Sequence, residues 1–552
     1  MSENLTALSF RKGVEQNLFE QMQKASSDPV ALRKMSEDCL MGEAVTLGAV
    51  SFYDFLKKEN REKKVFLCNG SACLCAGTQG PLKSRLEKQF SESEIGEICC
   101  LGRCYENGAF QYQGSNYSAL EEESIESLFT SGKKAHSKDY HVDSNMEIPL
   151  LVAEFPGIDK FYSPFKELVQ RDRQSVCEDL KNSGLRGRGG AGFPMGIKVE
   201  ACLQAQGSPK YVVCNADEGD PGAYIDKFLM EQRPHSVLFG MITAGWLVGA
   251  EVGVLYIRAE YPDSILSIEA AIHELQDQGY LGDNILDSGF SFRLKVIKGA
   301  GSYICGEETA LLASIEGQRP EVRVRPPFPV EYGLFGRPTL VNNVETFANV
   351  QPIFSMGVKN YSEIGTEQSK GTKLISLDGH FYRPGLYEVA MGTPLRIVLD
   401  ELGGGFRVPV KAVQVGGPLG GLIPIDKIDE VTVSFESFKQ AGFLLGHAGV
   451  VSIPEEFPMI EYIEHLFQFT AVESCGKCFP CRLGSVRGQE LMHKARAGDY
   501  KIDRELIDDL LETMEQTSLC ALGGGVPLPI QNALNYFQDE LSVYFKTKET
   551  QS

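Results

Sequence analysis

The chain has 552 residues, of which 43% are hydrophobic, and its 74 acidic and 54 basic side chains give a formal net charge of −20. This length predicts several domains, each large enough to bury a core. The negative charge repels phosphate backbones and anionic lipid head groups, so we expect no nucleic-acid partner. The first residues, MSENLTALSFRKGVEQ, lack the pattern of a secretory signal, and we expect a cytoplasmic protein.

Fifteen cysteines in a chain without a secretory signal indicate metal or redox chemistry rather than disulfides. The first group follows two apolar, β-branched runs that are typical of strands. Four residues separate Cys68 from Cys73, and three separate Cys100 from Cys104. Four thiolates on two strand-end loops suit a 2Fe-2S cluster. Zinc is the alternative, although zinc ribbons favour two-residue separations.

Residues 239–257, FGMITAGWLVGAEVGVLYI, are long enough to be considered as a membrane span. Glu251 and glycines interrupt the stretch, and its second half is β-branched and aromatic. Because a carboxylate in the middle of a bilayer is costly, we predict a buried helix running into a central strand, with no membrane insertion.

The second cysteine group lies in SCGKCFPCRLG, where Cys475, Cys478 and Cys481 recur with two residues between them. Such spacing wraps three thiolates around one face of a 4Fe-4S cluster, which needs a fourth ligand. Ser485 stands near the expected fourth position, but Cys520 is the cysteine that remains downstream. Two helical segments between them predict a hairpin that returns Cys520 to the triplet. Zinc, or a structural group of free thiols, is the alternative.

A glycine loop in SGLRGRGGAGFPMGIK formally matches the Rossmann fingerprint through Gly187, Gly189 and Gly192. The segment before it is helical, whereas that fingerprint must follow a strand. We therefore predict an anion cradle made of backbone amides at a helix start, with Arg188 and Lys198 adding positive charge. A tight turn that packs helix on sheet is the alternative.

Two further loops follow predicted buried strands. KYVVCNADEGDPGAY ends in a polar cluster: Asn215, Asp217, Glu218 and Asp220. FRLKVIKGAGSYICGEETALLASIEG ends in Glu307 and Glu308 at the start of an apolar helix. A solvated turn and simple helix caps are the alternatives. Together with the glycine loop, these strand ends predict a nucleotide crevice.

A nucleotide crevice combined with two iron–sulfur sites indicates electron transfer. Iron–sulfur clusters accept one electron at a time, whereas a nicotinamide gives up two electrons as hydride. A flavin is the cofactor that converts one into the other.

These residues resemble the NADH-oxidising flavoprotein subunit of the complex I family and the diaphorase subunits of NAD-linked hydrogenases and formate dehydrogenases. The resemblance spans residues 150 to 525 and rests on GLRGRGGAGFPMGIK, NADEGDPGAY, GAGSYICGEETALLASIEG, RPPFP, GRPTLVNNVET, ESCGKCFPCR and SLCALGG. Residues 45 to 125 resemble the thioredoxin-like 2Fe-2S subunit of the same machinery, here fused in front.

The resemblance implies hydride transfer between NAD(H) and a non-covalent FMN, followed by single-electron transfer to the clusters. It implies these FMN-binding residues: Gly187, Arg188, Gly189, Lys198, Asn215, Asp217, Glu218, Tyr303, Gly306, Glu307, Asn342, Asn343 and Thr346. It implies these NADH contacts: Phe193, Asp220, Glu308, Arg325 and Phe328. Glu218 and Glu308 are the candidate catalytic residues.

Three positions depart from the family pattern: Asp220 replaces a glutamate, Arg325 a lysine and Met195 a threonine. A guanidinium suits phosphate and could alter the preference between NADH and NADPH. NADH is favoured, because a carboxylate near the ribose would repel a 2′-phosphate.

The expected fold class is a multidomain α/β protein. Its predicted parts are a thioredoxin-like 2Fe-2S domain with an N-terminal helical part (1–130), a linker (131–147), a Rossmann-like FMN/NADH domain (148–365), a ubiquitin-like β-grasp domain (366–455) and a helical bundle carrying the 4Fe-4S cluster (456–552). Expected partners are other redox subunits: a hydrogenase or formate dehydrogenase catalytic subunit, a small 2Fe-2S subunit, and ferredoxin. The sequence leaves open whether the flavin bifurcates electrons. The alternative function is an iron–sulfur relay subunit that does not use NAD.

Overall fold

The computed structural model describes residues 17–118, 125, 127–129 and 140–546, which form three β-sheets flanked by helices. The first sheet has the strand order β2-β1-β3-β4, with β1 and β2 parallel and the other pairs antiparallel. Its strands are β1 (Val65–Cys68), β2 (Ile95–Ile98), β3 (Ala109–Tyr112) and β4 (Ser115–Ser118). Both predicted strands that precede the first cysteine group are therefore present.

The second sheet has the order β10-β6-β7-β9-β8, and all its pairs are parallel except that of β8 with β9. Its strands are β6 (Tyr211–Ala216), β7 (Val252–Ile257), β8 (Gly282–Ile285), β9 (Phe290–Lys298) and β10 (Thr339–Asn343). The helices of this region are Ile158–Phe161, Ser163–Leu168, Arg173–Asn182, Met195–Gln204, Ile225–Gln232, Pro234–Val248, Pro262–Asp277, Glu308–Ile315, Pro329–Tyr332, Val344–Ala348, Val350–Met356 and Val358–Glu363.

Both faces of the second sheet are covered, because successive side chains on its strands enter different cores. The fully buried helix Pro234–Val248 belongs to the core on one face and runs into central strand β7, which confirms the prediction for residues 239–257. Among the residues described, no helix combines the length and apolar character that a bilayer crossing needs.

The other face of the second sheet is covered from the N-terminus. Helices Leu18–Ala25, Pro29–Asp38 and Glu43–Val50 share a core with residues of β6, β7 and β9, and the Tyr53 hydroxyl lies 2.8 Å from the Ser314 Oγ. The N-terminal helical part thus packs on the sheet that was predicted for flavin binding. Helix Gln79–Leu86 shares a core with the first sheet, whereas the buried hydrophobic residues of helix Ser71–Cys75 belong to the same large core as helix Pro234–Val248.

The third sheet has the order β14-β13-β15-β11-β12-β5. Its strands are β5 (His141–Ser144), β11 (Thr372–Leu377), β12 (Gly385–Ala390), β13 (Val410–Val415), β14 (Gly421–Pro424) and β15 (Gly449–Pro454), and helix Phe435–Gln440 and a π-helical turn, Ile397–Leu402, accompany them. β5 lies within the segment predicted as a linker and pairs in parallel with β12. Residues 141–144 are therefore an edge strand, while residues 131–139 lie outside the described residues.

The C-terminal region is helical. Its helices are Met459–Glu473, Phe479–Arg496, Arg504–Thr517, Ala521–Gly525, Pro527–Tyr536 and Gln538–Leu541. The second and third of these form the predicted hairpin. Gly484 lies against Met514 at the crossing, where an added Cβ would come within 2.8 Å of that side chain.

Candidate functional site

The predicted crevice lies at the carboxyl ends of the parallel strands of the second sheet, where ligands bind in open α/β sheets. The loops that leave β6 and β9 begin at Asp217 and Gly299, and helix Val344–Ala348 begins directly after β10. Asn215 at the end of β6 pairs in register with Asn343 at the end of β10, and the Asn215 Nδ2 donates to the Gly306 carbonyl at 2.8 Å. The three segments that the sequence singled out separately therefore meet at one edge.

The glycine loop closes one side of this edge. The Gly187 amide donates to the Phe193 carbonyl at 2.8 Å, and the Arg188 amide donates to the Thr346 Oγ1 at 2.8 Å. A Cβ added at Gly189 would lie 2.9 Å from the Cβ of Asn343, so glycine permits this close approach. The loop ends at Pro194, directly before helix Met195–Gln204, so it lies at a helix start as the sequence predicts.

Lys198, Glu308 and Arg325 form an ion-paired group across the crevice. The Glu308 carboxylate accepts from the Lys198 Nζ at 3.0 Å and from the Arg325 Nη1 at 2.8 Å, while the Lys198 Nζ also donates to the Val341 carbonyl at 2.8 Å. Burial raises the pKa of Glu308, but the two cations outweigh burial and the net shift is downward. Glu308 is therefore held ionised among basic groups.

Several buried polar atoms at these strand ends have no hydrogen-bond partner among the described residues. They are Asp217 Oδ2, Ser302 Oγ, Glu307 Oε1 and Asn342 Nδ2. Leaving a buried polar atom unpaired costs about 1–3 kcal/mol. Such a set of donors and acceptors fits a polar ligand with several hydrogen-bonding groups, as the isoalloxazine and ribityl parts of FMN have.

Glu307 has two roles. Its Oε2 caps helix Glu308–Ile315 by accepting from the amides of Thr309 and Ala310, each at 2.9 Å, which realises the alternative of a helix cap. Its Oε1 lies 3.8 Å from the Arg325 Nη2 and accepts no hydrogen bond from the part of the chain that the structure describes. Capping and ligand binding are therefore compatible in one side chain.

Tyr303 connects the crevice to the second cysteine group. Its hydroxyl donates to the Asp220 Oδ1 at 2.7 Å, and its amide donates at 2.8 Å to the Oε2 of Glu473, the last residue of helix Met459–Glu473. Its ring packs edge-on against Phe469 with centroids 4.9 Å apart. Asp220, predicted to contact NADH, is thus engaged with protein.

Two predicted aromatic contacts lie in the open. Phe193 is 53% exposed and Phe328 50% exposed, which is unusual for phenylalanine. Phe193 belongs to the glycine loop, and Phe328 precedes helix Pro329–Tyr332, so both rings are available to a stacking partner.

The four cysteines of the second group lie together. Cys475 and Cys481 are buried in one cluster, and Cys478 and Cys520 pack against it from the part-exposed side. Burial is the main cause that raises the pKa of Cys520 to about 12 and that of Cys481 to about 11. Four neighbouring thiols fit a metal centre that replaces their protons.

Ser485 is not a member of this group. Its Oγ donates to the Cys481 carbonyl at 2.6 Å, a bond to the residue one helical turn earlier, and the side chain is fully buried. Cys520 packs against the group, and its assignment as the fourth ligand stays a prediction.

The first cysteine group is also assembled and lies against the crevice. The Sγ atoms of Cys100 and Cys104 are 3.3 Å apart, and Cys68 interacts with Cys73 and Cys100. The Gly222 amide, in the loop after β6, donates to the Cys104 Sγ at 3.2 Å. The thiols are thus in direct contact with the loop that was predicted to bind FMN.

Glu218 differs from the other predicted site residues. Its carboxylate accepts from the amides of Ile225, Asp226 and Lys227 at 2.7, 2.9 and 3.1 Å and from the Tyr261 hydroxyl at 3.2 Å. A carboxylate has about four acceptor positions, and here each has a donor. Glu218 holds the start of helix Ile225–Gln232 in this structure, and its predicted catalytic and flavin contacts stay predictions.

Sequence reasoning missed three buried residues at this site. Arg258 pairs with Glu260 at 2.9 Å and donates to the Cys99 carbonyl at 3.1 Å and to the Glu218 carbonyl. Both pair members directly follow β7, and their position at a third strand end was the available signal. The third residue, His447, had no such signal, since it is a single histidine in a glycine-containing loop.

Comparison with known protein families gives one match for the crevice region and one for the C-terminal cysteine region. Residues 180–352 match the family described as the Nuo51 FMN-binding domain, and residues 461–544 match the NADH-ubiquinone oxidoreductase-F iron-sulfur binding region. These matches confirm FMN and a 4Fe-4S cluster as the cofactors of the two regions.

Two curated relatives are similar over most of their length. The NADP-reducing hydrogenase subunit HndC of Solidesulfovibrio fructosivorans is 42% identical over 391 residues, 70% of this chain and 79% of that protein. An F-type subunit of the NADH-quinone oxidoreductase of Rhizobium meliloti (strain 1021) is 42% identical over 387 residues, 69% of this chain and 91% of that protein.

A solved structure extends the likeness to nearly the whole chain. A chain of an NAD⁺-reducing [NiFe]-hydrogenase in the H₂-reduced state superposes with a TM-score of 0.85 and 28% identity, covering 97% of this chain and 94% of that one. The predicted resemblance is thereby confirmed. This chain belongs to the family of F-type NADH-quinone oxidoreductase subunits and the related subunits of NAD(P)-reducing hydrogenases.

Proposed function

We propose that this chain is the NAD(H)-linked diaphorase subunit of a multi-subunit oxidoreductase. The observation that carries the proposal is the set of unpartnered buried polar atoms at the strand ends, joined to the four-cysteine group by Tyr303 and Glu473. FMN, when bound, supplies the exchange between two-electron hydride chemistry and one-electron transfer.

The residues around the crevice bind and orient. The glycine loop offers backbone amides, and Asp217, Glu307 and Asn342 offer the unpartnered atoms that FMN would satisfy. Glu308, held ionised by Lys198 and Arg325, lies where the dinucleotide is expected. Because Glu308 already engages both cations, neither Lys198 nor Arg325 is free to bind a 2′-phosphate. We therefore infer NADH as the preferred dinucleotide, although the relative HndC carries the name of an NADP-reducing enzyme.

We assign the finer architecture in the same way. The first sheet, with its parallel β1–β2 pair, is a thioredoxin-like module in which Cys68, Cys73, Cys100 and Cys104 hold a 2Fe-2S cluster. The third sheet is the ubiquitin-like β-grasp domain, and Cys475, Cys478, Cys481 and Cys520 hold the 4Fe-4S cluster. Other redox subunits, with ferredoxin among the candidates, take the electrons onward.

An anaerobic titration of the purified, flavin-loaded protein with NADH tests the proposal. The flavin absorbance should bleach with one equivalent of NADH, followed by bleaching of the iron–sulfur absorption. A flavin that stays oxidised would leave the chain as a relay subunit without NAD chemistry. Iron content of the protein distinguishes both outcomes from a zinc-containing scaffold.

A further inference from the structure

His447 enters the flavin region from the third sheet. It lies in the loop just before β15 and is 6% exposed. Its Nε2 is 3.3 Å from the Asp226 Oδ2, and its Nδ1 is 3.7 Å from the Glu218 Oε1. Neither ring nitrogen makes a well-directed hydrogen bond to any described residue. The imidazole therefore stands between two buried carboxylates.

Asp226 connects His447 to Asn343, a predicted flavin-binding residue. The Asn343 Nδ2 donates to the Asp226 Oδ2 at 2.7 Å, while the Asn343 Oδ1 caps helix Val344–Ala348 by accepting from the Glu345 amide at 2.9 Å. Both ends of the Asn343 amide are thus fixed. His447, Asp226 and Asn343 form one connected chain from the third sheet to the end of β10.

The loops of the third sheet also form a wall of the crevice. An added Cβ at Gly190 would lie 3.8 Å from the Gly446 carbonyl carbon, and one at Gly417 would collide with the Asp220 carboxylate. Arg186 pairs with Glu436 of helix Phe435–Gln440. From this wall, His447 reaches Asp226 in helix Ile225–Gln232, which follows the loop after β6.

The charges that face His447 come from three elements. Asp226 lies at the start of helix Ile225–Gln232, Glu218 and Asp220 lie in the loop after β6, and Lys373 lies on β11. Burial lowers the pKa of His447, but Asp226 and Glu218 outweigh burial and Lys373, and the pKa rises to about 9. Burial, with Asp226, raises the pKa of Glu218 to about 7, and burial raises the pKa of Asp220. Lys373 is itself paired with Glu345, so a protonated His447 is the positive charge that faces this acidic group.

A proton on the His447 ring supplies the positive charge between Asp226 and Glu218 better than a metal ion would. A cation needs free lone pairs on its ligands. All four acceptor positions of Glu218 already have donors, so only Asp226 and His447 remain to coordinate. An imidazolium needs no further ligand, because each of its N–H groups faces one carboxylate.

We propose that His447, as an imidazolium between Asp226 and Glu218, is a positioning residue that ties the third sheet to the second and thereby holds the flavin crevice closed. The proposal rests on the proposed function, since it assigns His447 to the crevice that binds FMN. Loss of the proton or of the ring leaves two buried carboxylates facing each other, which repel and open the wall.

Flavin release from the purified holoprotein tests this role, followed as the rise of free-flavin fluorescence after dilution. We expect His447→Gln to release flavin about tenfold faster at neutral pH, the change that one pKa unit of interaction represents. The interaction is present below the unfolded pKa of histidine and is lost as pH rises through about 9. Wild-type release should therefore accelerate near that pH, whereas release from His447→Gln should not show this step.

Two further variants separate charge from general damage. His235→Gln removes another buried histidine, in contact with Glu274 away from the crevice, and should leave flavin release and its pH step unchanged. Adding Asp226→Asn to His447→Gln removes the repulsion, so the double variant should release flavin more slowly than His447→Gln alone. The Tm of the flavin-free protein should show the same pH step in wild type and lose it in His447→Gln.

Other outcomes would contradict either the role of His447 or the proposed function. A double variant that releases flavin as fast as His447→Gln alone or faster, or a pH step that persists in His447→Gln, would overturn the imidazolium role. A stoichiometric divalent metal other than iron, lost in His447→Gln, would replace the proton by a cation and also overturn it. Wild-type protein that never takes up flavin would instead refute the proposed function, which keeps the two failures distinct.

Discussion

The Glu308→Gln variant probes the ion-paired group of the crevice. Glu308, Lys198 and Arg325 have side chains that are 19%, 22% and 34% exposed, so the group is neither fully buried nor on the open surface. Exposed pairs contribute about 0–1 kcal/mol, and breaking a buried pair costs about 3–5 kcal/mol. An intermediate loss of about 1.5–3 kcal/mol corresponds to a factor of about 10 to 100.

We expect kcat/KM for NADH to fall by that factor, because glutamine keeps the shape but no longer anchors the two cations. Flavin content should stay unchanged, and the ratio of NADPH to NADH use should rise, since Lys198 and Arg325 would be free to bind a 2′-phosphate. Steady-state assays with an artificial electron acceptor measure both. Arg325→Lys should have a small effect, because the guanidinium donates to Glu308 through one nitrogen. Equal losses of flavin and of NADH use would place Glu308 against the flavin and refute this reasoning.

Three further predictions concern the clusters, the glycine loop and a buried histidine. Cys481→Ser should leave flavin bleaching by NADH largely intact but stop electron transfer to the iron–sulfur acceptor, as stopped-flow absorbance and iron analysis would show; failure of flavin reduction in folded, flavin-loaded protein would contradict it. Gly189→Ala should reduce flavin content and cost about 1–3 kcal/mol, because the new Cβ would lie 2.9 Å from that of Asn343; unchanged flavin content and denaturation midpoint would count against the close approach. His465, whose Nε2 is 3.0 Å from the Ser71 Oγ, has a pKa lowered by burial to about 4. As pH falls, histidine in the unfolded chain binds a proton before the buried His465 does, so stability is lost below about pH 6.5. The Tm of His465→Gln should therefore fall less than that of wild type between pH 7 and pH 5. An identical pH dependence would refute this assignment.

The crevice could be predicted from sequence because its residues follow buried strands. Parallel strands end at one edge, so Asp217 and Glu307 had to meet once their strands were recognised, whereas Asn342 was indicated by the family resemblance. Cys520 could be predicted because it was the cysteine left downstream of the triplet. In each case a local pattern carried the long-range conclusion.

The remaining features depend on contacts that no local pattern records. His447 gains its role from Asp226 and Glu218, which lie far away in the chain and on another sheet. β5 is a short edge strand whose side chains are mostly exposed, so it lacks the alternation that marks a strand. In the sequence Glu218 is a polar loop residue. Three of its donors appear only when helix Ile225–Gln232 folds back over it, and the fourth is the distant Tyr261 hydroxyl.

The contact between the Gly222 amide and the Cys104 sulfur has a practical consequence for dissecting this protein. Arg258 strengthens the same contact, because its guanidinium donates to the Cys99 carbonyl and to the Glu218 carbonyl. The first sheet and its cysteine loops, the N-terminal cysteine module, therefore support the loop after β6. A chain shortened by that part would lose contacts that hold the loop after β6, in addition to the four cysteines. Single substitutions of these cysteines therefore test their role more directly than truncation does.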